Sequence, residues 1–423
     1  MTTDVWRTNT IKQRVQASRC HRDSKQPTYR STLQATLPVL MMCLLTAGWG
    51  WADYQAGLAA YERGDYQTAL KEWRPLAEAG DPQAQFDLGW MYHNGEGILQ
   101  DYREAVKWFR KAAEQNHPGA QRTLGGLYAE GRGVSQDEEE AIKWFRQAAQ
   151  QGDALAQFNL GVMYYNGAGV PQDDKEGLKW FRQAAQQGNT KAQCNLGLMY
   201  AEGRGVSQDE EEAVKWFRQA AQQGDALAQF NLGWMCANGR GISQDNEEAL
   251  KWLRQAAQQR FALAQGYLGV MHAEGRGVPQ NYVRAYIWLH LAEAQGDENA
   301  RTYRNTMEKA MPPAQIAEAQ RDLGWIYHFG LGVPQDNKQA IEWYRQAALQ
   351  GDARAQRTLG VMYANGEGVS QNYVQAYMWL HLAEVQSDET ARAYRDTIEK
   401  VMTPAQIAEA QRLAREWEPT KEH

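Results

Sequence analysis

A 36-residue pattern returns along this chain. Its clearest marker is a tryptophan, at Trp108, Trp144, Trp180, Trp216, Trp252 and Trp288, then at Trp343 and Trp379 after one interruption. A unit this short cannot bury a core alone and must stack on its neighbours. The 423 residues therefore need not divide into two or three globular domains. An architecture that grows unit by unit along one axis offers an extended surface for partners more readily than an enclosed catalytic pocket.

Numbered from Asp153, the unit reads as two helices. Positions 2–14 form helix A, with Pro at position 2 only in the first two copies (Pro82, Pro118), where a helix start tolerates it. Positions 15–20 form a Gly-x-Gly-Val-x-Gln turn, as at Gly167, Gly169, Val170 and Gln172. Position 21 is Asp or Asn, and position 24 is Glu in the first five copies. Asp101–Glu104, Asp137–Glu140, Asp173–Glu176, Asp209–Glu212 and Asp245–Glu248 thus read as capping boxes opening helix B. A glycine at position 36 ends helix B in most copies. Asn116, Arg260 and Ser387 replace it, and looser joints are expected there. A glycine inside helix A (Gly89, Gly125, Gly161, Gly197, Gly233, Gly269, Gly324, Gly360) costs up to about 1 kcal/mol. Close approach of helix B with its tryptophan is the simplest compensation.

These motifs, Ala-x-Ala-Gln-x-x-Leu-Gly-x-Met-Tyr, Gly-x-Gly-Val-x-Gln-Asp and Ala-x-x-Trp-x-x-x-Ala-Ala, resemble the Sel1-like repeat, a relative of the tetratricopeptide repeat. The resemblance covers six units over 81–296 and two over 316–387, and it implies a right-handed α-solenoid. Residues 53–80 resemble a divergent tetratricopeptide-type pair that caps the first unit. Residues 297–315 read as an inserted helical module, because they match 388–406: Asp297-Glu-Asn-Ala-Arg301 against Asp388-Glu-Thr-Ala-Arg392. The second copy opens the C-terminal capping helices and polar tail (388–423), with Thr403 as N-cap and Pro404 at the first helical position.

Residues 1–52 are different in kind. Seven Lys/Arg precede an apolar run, Leu37 to Leu45, and small residues ending at Ala52. This is the order of a secretory signal with a long basic leader, cleaved after Ala52, and the run is too short for a good transmembrane helix. Its removal takes the formal net charge from −6 to −11. Such a chain suits export to the periplasm or beyond, and makes a poor ligand for nucleic acid or anionic membranes; membrane contact is expected only through the signal if it stays uncleaved. Cys194 and Cys236 occupy different repeat positions and read as small apolar side chains.

No catalytic, metal or cofactor site is expected. The eight histidines are scattered, with no two at helical ligand spacing, and no serine elbow or Walker loop is present. The Gly-x-Gly turns recur in all eight units without a following Lys-Ser/Thr, so they are turns and not phosphate cradles. Some exported Sel1-like proteins with paired cysteines in each repeat are linked to β-lactam binding or hydrolysis. This chain lacks that pairing, which leaves a cell-wall or β-lactam-related hydrolase as a remote alternative.

At about 100° per residue, positions 6, 10 and 13 of helix A form a stripe apart from the core face. The tetratricopeptide relationship implies that helix A lines the concave surface. The candidate partner-binding residues are Phe86, Trp90, His93, Arg122, Phe158, Tyr165, Phe230, Trp234, Arg321, Trp325, His328 and Arg357. Aromatics and Arg are the usual anchors of interfaces. The competing reading is that this stripe packs against the next helix A, large against small. The expected function is an exported protein–protein interaction scaffold of the bacterial cell envelope. Recognition of cell-wall or exported polysaccharide by the same groove is the alternative.

Overall fold

The computed structural model describes residues 54–419. The signal-like segment and its expected cleavage after Ala52 lie outside the described residues. Within them the chain is all helix: 21 helices and no strand, arranged as an all-α solenoid. They fall into two compact units, 54–223 and 224–419.

In 54–223, a helix over 54–62 is followed by Tyr66–Glu78, and then by helix A/helix B pairs: Pro82–Asn94 with Tyr102–Glu114, Pro118–Glu130 with Glu138–Gln150, Ala154–Asn166 with Asp174–Gln186, and Thr190–Glu202 with Glu210–Gln222. Each helix A starts on an N-cap side chain and stops at a left-handed glycine; Asp153 accepts from Ala156 N at 2.8 Å, and Gly167 has φ 70°. Helix B is strongly amphipathic, and its Ala/Phe/Val face is buried between its own helix A and the next. Phe109, Ala112 and Ala113, for example, pack with Ala120, Leu124 and Leu127.

Two expectations are revised by this packing. The glycine inside helix A does make room for helix B, but the residue that uses the room is the one after the tryptophan. A Cβ on Gly89 or Gly161 would lie 2.9 or 2.8 Å from the ring of Phe109 or Phe181. The tryptophan sits further out, against the preceding joint: Trp144 on the core formed by 102–114 and 118–130, Trp180 on the next such core. The capping boxes are also only half formed at helix B. Asp137 accepts from Glu140 N at 3.0 Å, but the Glu140 carboxylate turns to Lys143, at 2.6 Å. Glu176–Lys179 and Glu212–Lys215 repeat this at 2.9 and 3.0 Å. A lysine one turn on outcompetes the backbone N–H for the carboxylate. A complete box is present at Thr403–Gln406.

In 224–419 the pairs are Ala226–Asn238 with Asn246–Gln258, Ala262–Glu274 with Tyr282–Glu293, Pro313–Phe329 with Asn337–Leu349, and Ala353–Asn365 with Tyr373–Val385. Helix Glu298–Glu308 is inserted, and Glu389–Glu399 and Pro404–Glu416 close the chain. Pro313–Phe329 is one unbroken 17-residue helix. The inserted module therefore runs directly into helix A of the seventh repeat, and the boundary read at 315/316 falls inside a helix. Both copies of the module hold an arginine against the preceding helix B: Arg304 bonds Glu293 at 2.9 Å and the Tyr286 hydroxyl at 3.0 Å, and Arg395 pairs with Glu384.

The joints at Asn116, Arg260 and Ser387 are not loosened. All three take the left-handed conformation that glycine takes elsewhere, with φ of 65°, 63° and 70°. The closing bonds stay intact, as in Phe261 N to Ala256 O at 3.2 Å. The cost is backbone strain, about 1–2 kcal/mol for an L-residue. Arg260→Gly is therefore expected to raise the stability of the full chain by about 1 kcal/mol in urea denaturation.

His290 gives the 224–419 unit a pH dependence. Its ring is largely buried, with its centroid 4.5 Å from that of Trp343 in an edge-to-face contact, and Glu293 nearby is already engaged by Arg304. Burial, and then the Arg304 charge, push the imidazole down to about 4. The folded state disfavours the proton that the unfolded chain accepts near pH 6.5, so the contribution is present above that pH and lost as pH falls toward 4. A depression of this size corresponds to about 3 kcal/mol. Comparing urea unfolding at pH 7.5 and 4.5 should show a shallower loss for His290→Gln than for the wild type.

Candidate protein-interaction surface

The twelve stripe residues divide by position. Position 6 serves the joint to the next helix A. Arg122 reaches Asp153 at 3.1 Å, Arg321 reaches Asp352 at 3.1 Å and Arg357 reaches Asp388 at 2.6 Å. Each of these aspartates is also the N-cap of its helix. One oxygen satisfies the helix start while the other ties it to the previous unit. Where position 6 is aromatic, a ring contact takes over. Phe86 stacks on His117 at 4.6 Å and Phe230 packs on Phe261 at 5.6 Å. Phe230 is only 2 % exposed and offers a partner nothing. Phe158 leans on Phe181, the helix-B ring of its own unit, at 5.8 Å. At position 6 the packing reading therefore describes the structure.

Positions 10 and 13 face outward to differing degrees. Trp90 is half-buried and lies between Phe86, at 6.3 Å, and His93, at 5.3 Å, all nearly parallel. Burial, then the Arg132 charge, hold His93 below the ordinary histidine range, so it stays a neutral ring in this stack. Tyr165 lies under the guanidinium of Arg204, 3.8 Å from its centroid, and Arg204 is fixed in turn by both oxygens of Asp174. Trp234 is half-buried. Trp325 stands out at 53 % exposed, with His328 a turn further on, 3.9 Å from Glu367.

Two surface residues escaped the stripe argument. Phe329 and Leu331 are 50 % and 52 % exposed, and the Phe329 ring lies 4.2 Å from that of Trp325. The signal was present in the repeat register. Other units carry Asn or Glu where Phe329 stands, and Glu, Arg or Ala where Leu331 stands.

A row of buried glutamines stands at position 5 of helix A. Gln157 is buried; its amide donates to Ala149 O at 3.1 Å, and its oxygen accepts from Gln187 at 2.8 Å. The same pair of bonds recurs at Gln85, Gln121, Gln193, Gln265 and Gln356. One side chain thus links a helix A to the helix B before it and the helix B after it. Cys194 and Cys236 are both buried. No cluster of three or more potential metal ligands is found among the described residues.

The Sel1 repeat family model matches residues 82–117, 118–153, 154–189, 190–225, 226–261, 262–297, 317–352 and 353–384, well over half of the chain. The chain belongs to the Sel1 repeat family. Among solved structures it is similar to a protective antigen present in uropathogenic Escherichia coli strains that displays an SLR fold. The two are 34 % identical, with 88 % of this chain and 84 % of that one covered and a TM-score of 0.61. It is also similar to a Sel1 repeat protein from Oxalobacter formigenes, at 33 % identity over 57 % of this chain and 96 % of that one, with a TM-score of 0.52. No curated protein gives a significant match. Sel1 repeats indicate a protein–protein interaction scaffold, and solenoids of this kind are typically non-enzymatic. In this Sel1 chain the side chains common to the units hold the joints, tryptophan stands at position 10 in three units, and the exposed Phe329 and Leu331 are peculiar to one.

Proposed function

We propose that the chain is an exported scaffold of the bacterial cell envelope, which holds a partner protein against the outward-facing part of the helix A stripe. The observation that carries this reading is the exposure left on the tryptophan rings at position 10 of three units. Trp325 is more than half exposed and Trp90 and Trp234 are half-buried, while the position 6 residues beside them are consumed by joints. Exposed aromatic surface of this kind marks interaction sites. Support for export comes from the basic, apolar and small-residue order of residues 1–52 and from the acidic balance of the rest.

The test is cross-linking and tag purification of the full-length chain from cells. Wild type is compared with a variant carrying Trp90→Ala, Trp234→Ala and Trp325→Ala. The expected result is an envelope fraction in which the chain starts after Ala52 and a defined partner protein is lost from the variant, with helicity unchanged. An identical partner set in both, or a cytoplasmic chain with residues 1–52 intact, would overturn the reading; capture of glycan in place of protein would favour the polysaccharide alternative.

A further inference from the structure

The outward face of helix Pro313–Phe329 has a composition of its own. Glu318, Asp322, Trp325 and Phe329 follow one another at spacings of four, three and four, which lines them along a single helical stripe. Leu331 continues it just beyond the helix. Three of the eight exposed large hydrophobic side chains among the described residues fall within 325–331. The other half of the stripe is acidic. The Glu318 and Asp322 side chains are 49 % and 41 % exposed. Arg321 is the guanidinium beside them, and it is shared among Glu318, Asp322 and Asp352, so three carboxylates face one cation. Glu367, 38 % exposed and 3.9 Å from His328, adds a carboxylate at the aromatic end.

We propose, building on the scaffold reading, that this stripe docks a polypeptide segment with an aromatic or aliphatic anchor and a Lys or Arg about 10 Å away. The anchor sits on Trp325, Phe329 and Leu331, and the cation sits against the exposed Glu318 and Asp322. The spacing follows from seven residues of helix rise between Glu318 and Trp325, about 10 Å, which an extended segment covers in about three residues. Charge selects this occupant over the others. A second copy related by a two-fold axis would set the carboxylates against its own carboxylates or against its aromatic half, and in neither case against a cation. An anionic lipid surface would meet the same repulsion. A cationic segment gains attraction from the acidic half and burial from the apolar half, and the departures from the repeat, Phe329 and Leu331, then have a use.

The experiment uses the full chain and two fluorescein-labelled peptides, Gly-Leu-Phe-Ser-Gly-Lys-Arg-Lys and its counterpart with Glu at the three basic positions, read by anisotropy. The basic peptide is expected to bind at least about tenfold more tightly in 50 mM salt, with the preference shrinking in 500 mM salt as screening shortens to a few ångströms. Trp325→Ser with Phe329→Asn, the latter a residue that other units carry at that position, should weaken the basic peptide about tenfold or more. Glu318→Gln with Asp322→Asn should remove the preference for charge while leaving the fold intact. Equal binding of the two peptides, binding of neither, or binding untouched by the Trp325/Phe329 variant would overturn the proposal. So would a wild-type dimer in sedimentation that the same variant converts to monomer, or binding to phosphatidylglycerol vesicles through the same residues. If the peptides fail while the Trp90/Trp234/Trp325 variant still loses its partner, this proposal falls and the scaffold reading stands.

Discussion

Gly133→Ala is expected to destabilise the 54–223 unit by about 2–5 kcal/mol, a loss visible as a lower urea midpoint of the full chain. Gly133 is the second glycine of a Gly-x-Gly turn and has φ 73°. An L-residue there costs about 1–2 kcal/mol in backbone conformation. The added Cβ would also lie 2.3 Å from the carbonyl oxygen of Tyr102, the first residue of the previous helix B. Backbone cannot swing away as a side chain can, so the turn must lift off, at a further cost of about 1–3 kcal/mol. Gly126 is the control. It sits in the same repeat, inside helix Pro118–Glu130, with nothing within 4 Å of a built Cβ. Gly126→Ala should stabilise by about 0.5–1 kcal/mol. Equal effects at the two sites would contradict the assignment of the turn as an inter-unit contact.

Gln157→Leu is expected to cost about 1–3 kcal/mol although it conserves volume and adds apolar surface. The change removes two hydrogen bonds at once, the one to the carbonyl of Ala149, which keeps its bond from Gly152 N–H, and the one from the amide of the exposed Gln187, at about 0.5–1.5 kcal/mol each. A core position without a polar duty would tolerate such a swap at under about 1.5 kcal/mol. Urea denaturation of the full chain reads the difference. Because one glutamine joins two helix B neighbours, hydrogen exchange should quicken in both Glu138–Gln150 and Asp174–Gln186.

The legibility of the fold followed from periodicity. Helix limits, the Asp and Asn N-caps and the left-handed glycines are local chemistry, and a repeat displays local chemistry eight times over. What one helix does to the next was harder to read. The tryptophan was a conspicuous marker, yet the residue after it fills the space above Gly89 and Gly161, because the helix B face is turned one residue further than the marker suggests. Four of the five capping glutamates turn instead to lysines three residues on, as Glu140 does to Lys143. The second glycine of the turn looked like turn chemistry, and its contact with the previous unit cannot be seen without coordinates. At the surface the stripe argument found Trp325 but also gathered Arg122, Arg321, Arg357 and Phe230, whose partners lie in the next unit. Sequence period alone does not distinguish a face that points to solvent from one that points to a neighbour. Phe329 and Leu331 were readable as departures from the register, a comparison between units that the stripe argument left out.

The most direct test of the central claim is site-specific photo-cross-linking in cells. A photoreactive residue is placed in turn at positions 90, 234 and 325 on the helix A face, and at positions 107 and 215 on helix B, where the lysine side chains are 65 % and 66 % exposed. A partner adduct of one mass is predicted from the helix A positions and none from the helix B positions. Adducts from positions 107 and 215 alone would contradict the account and move the binding surface to the opposite face of the repeats.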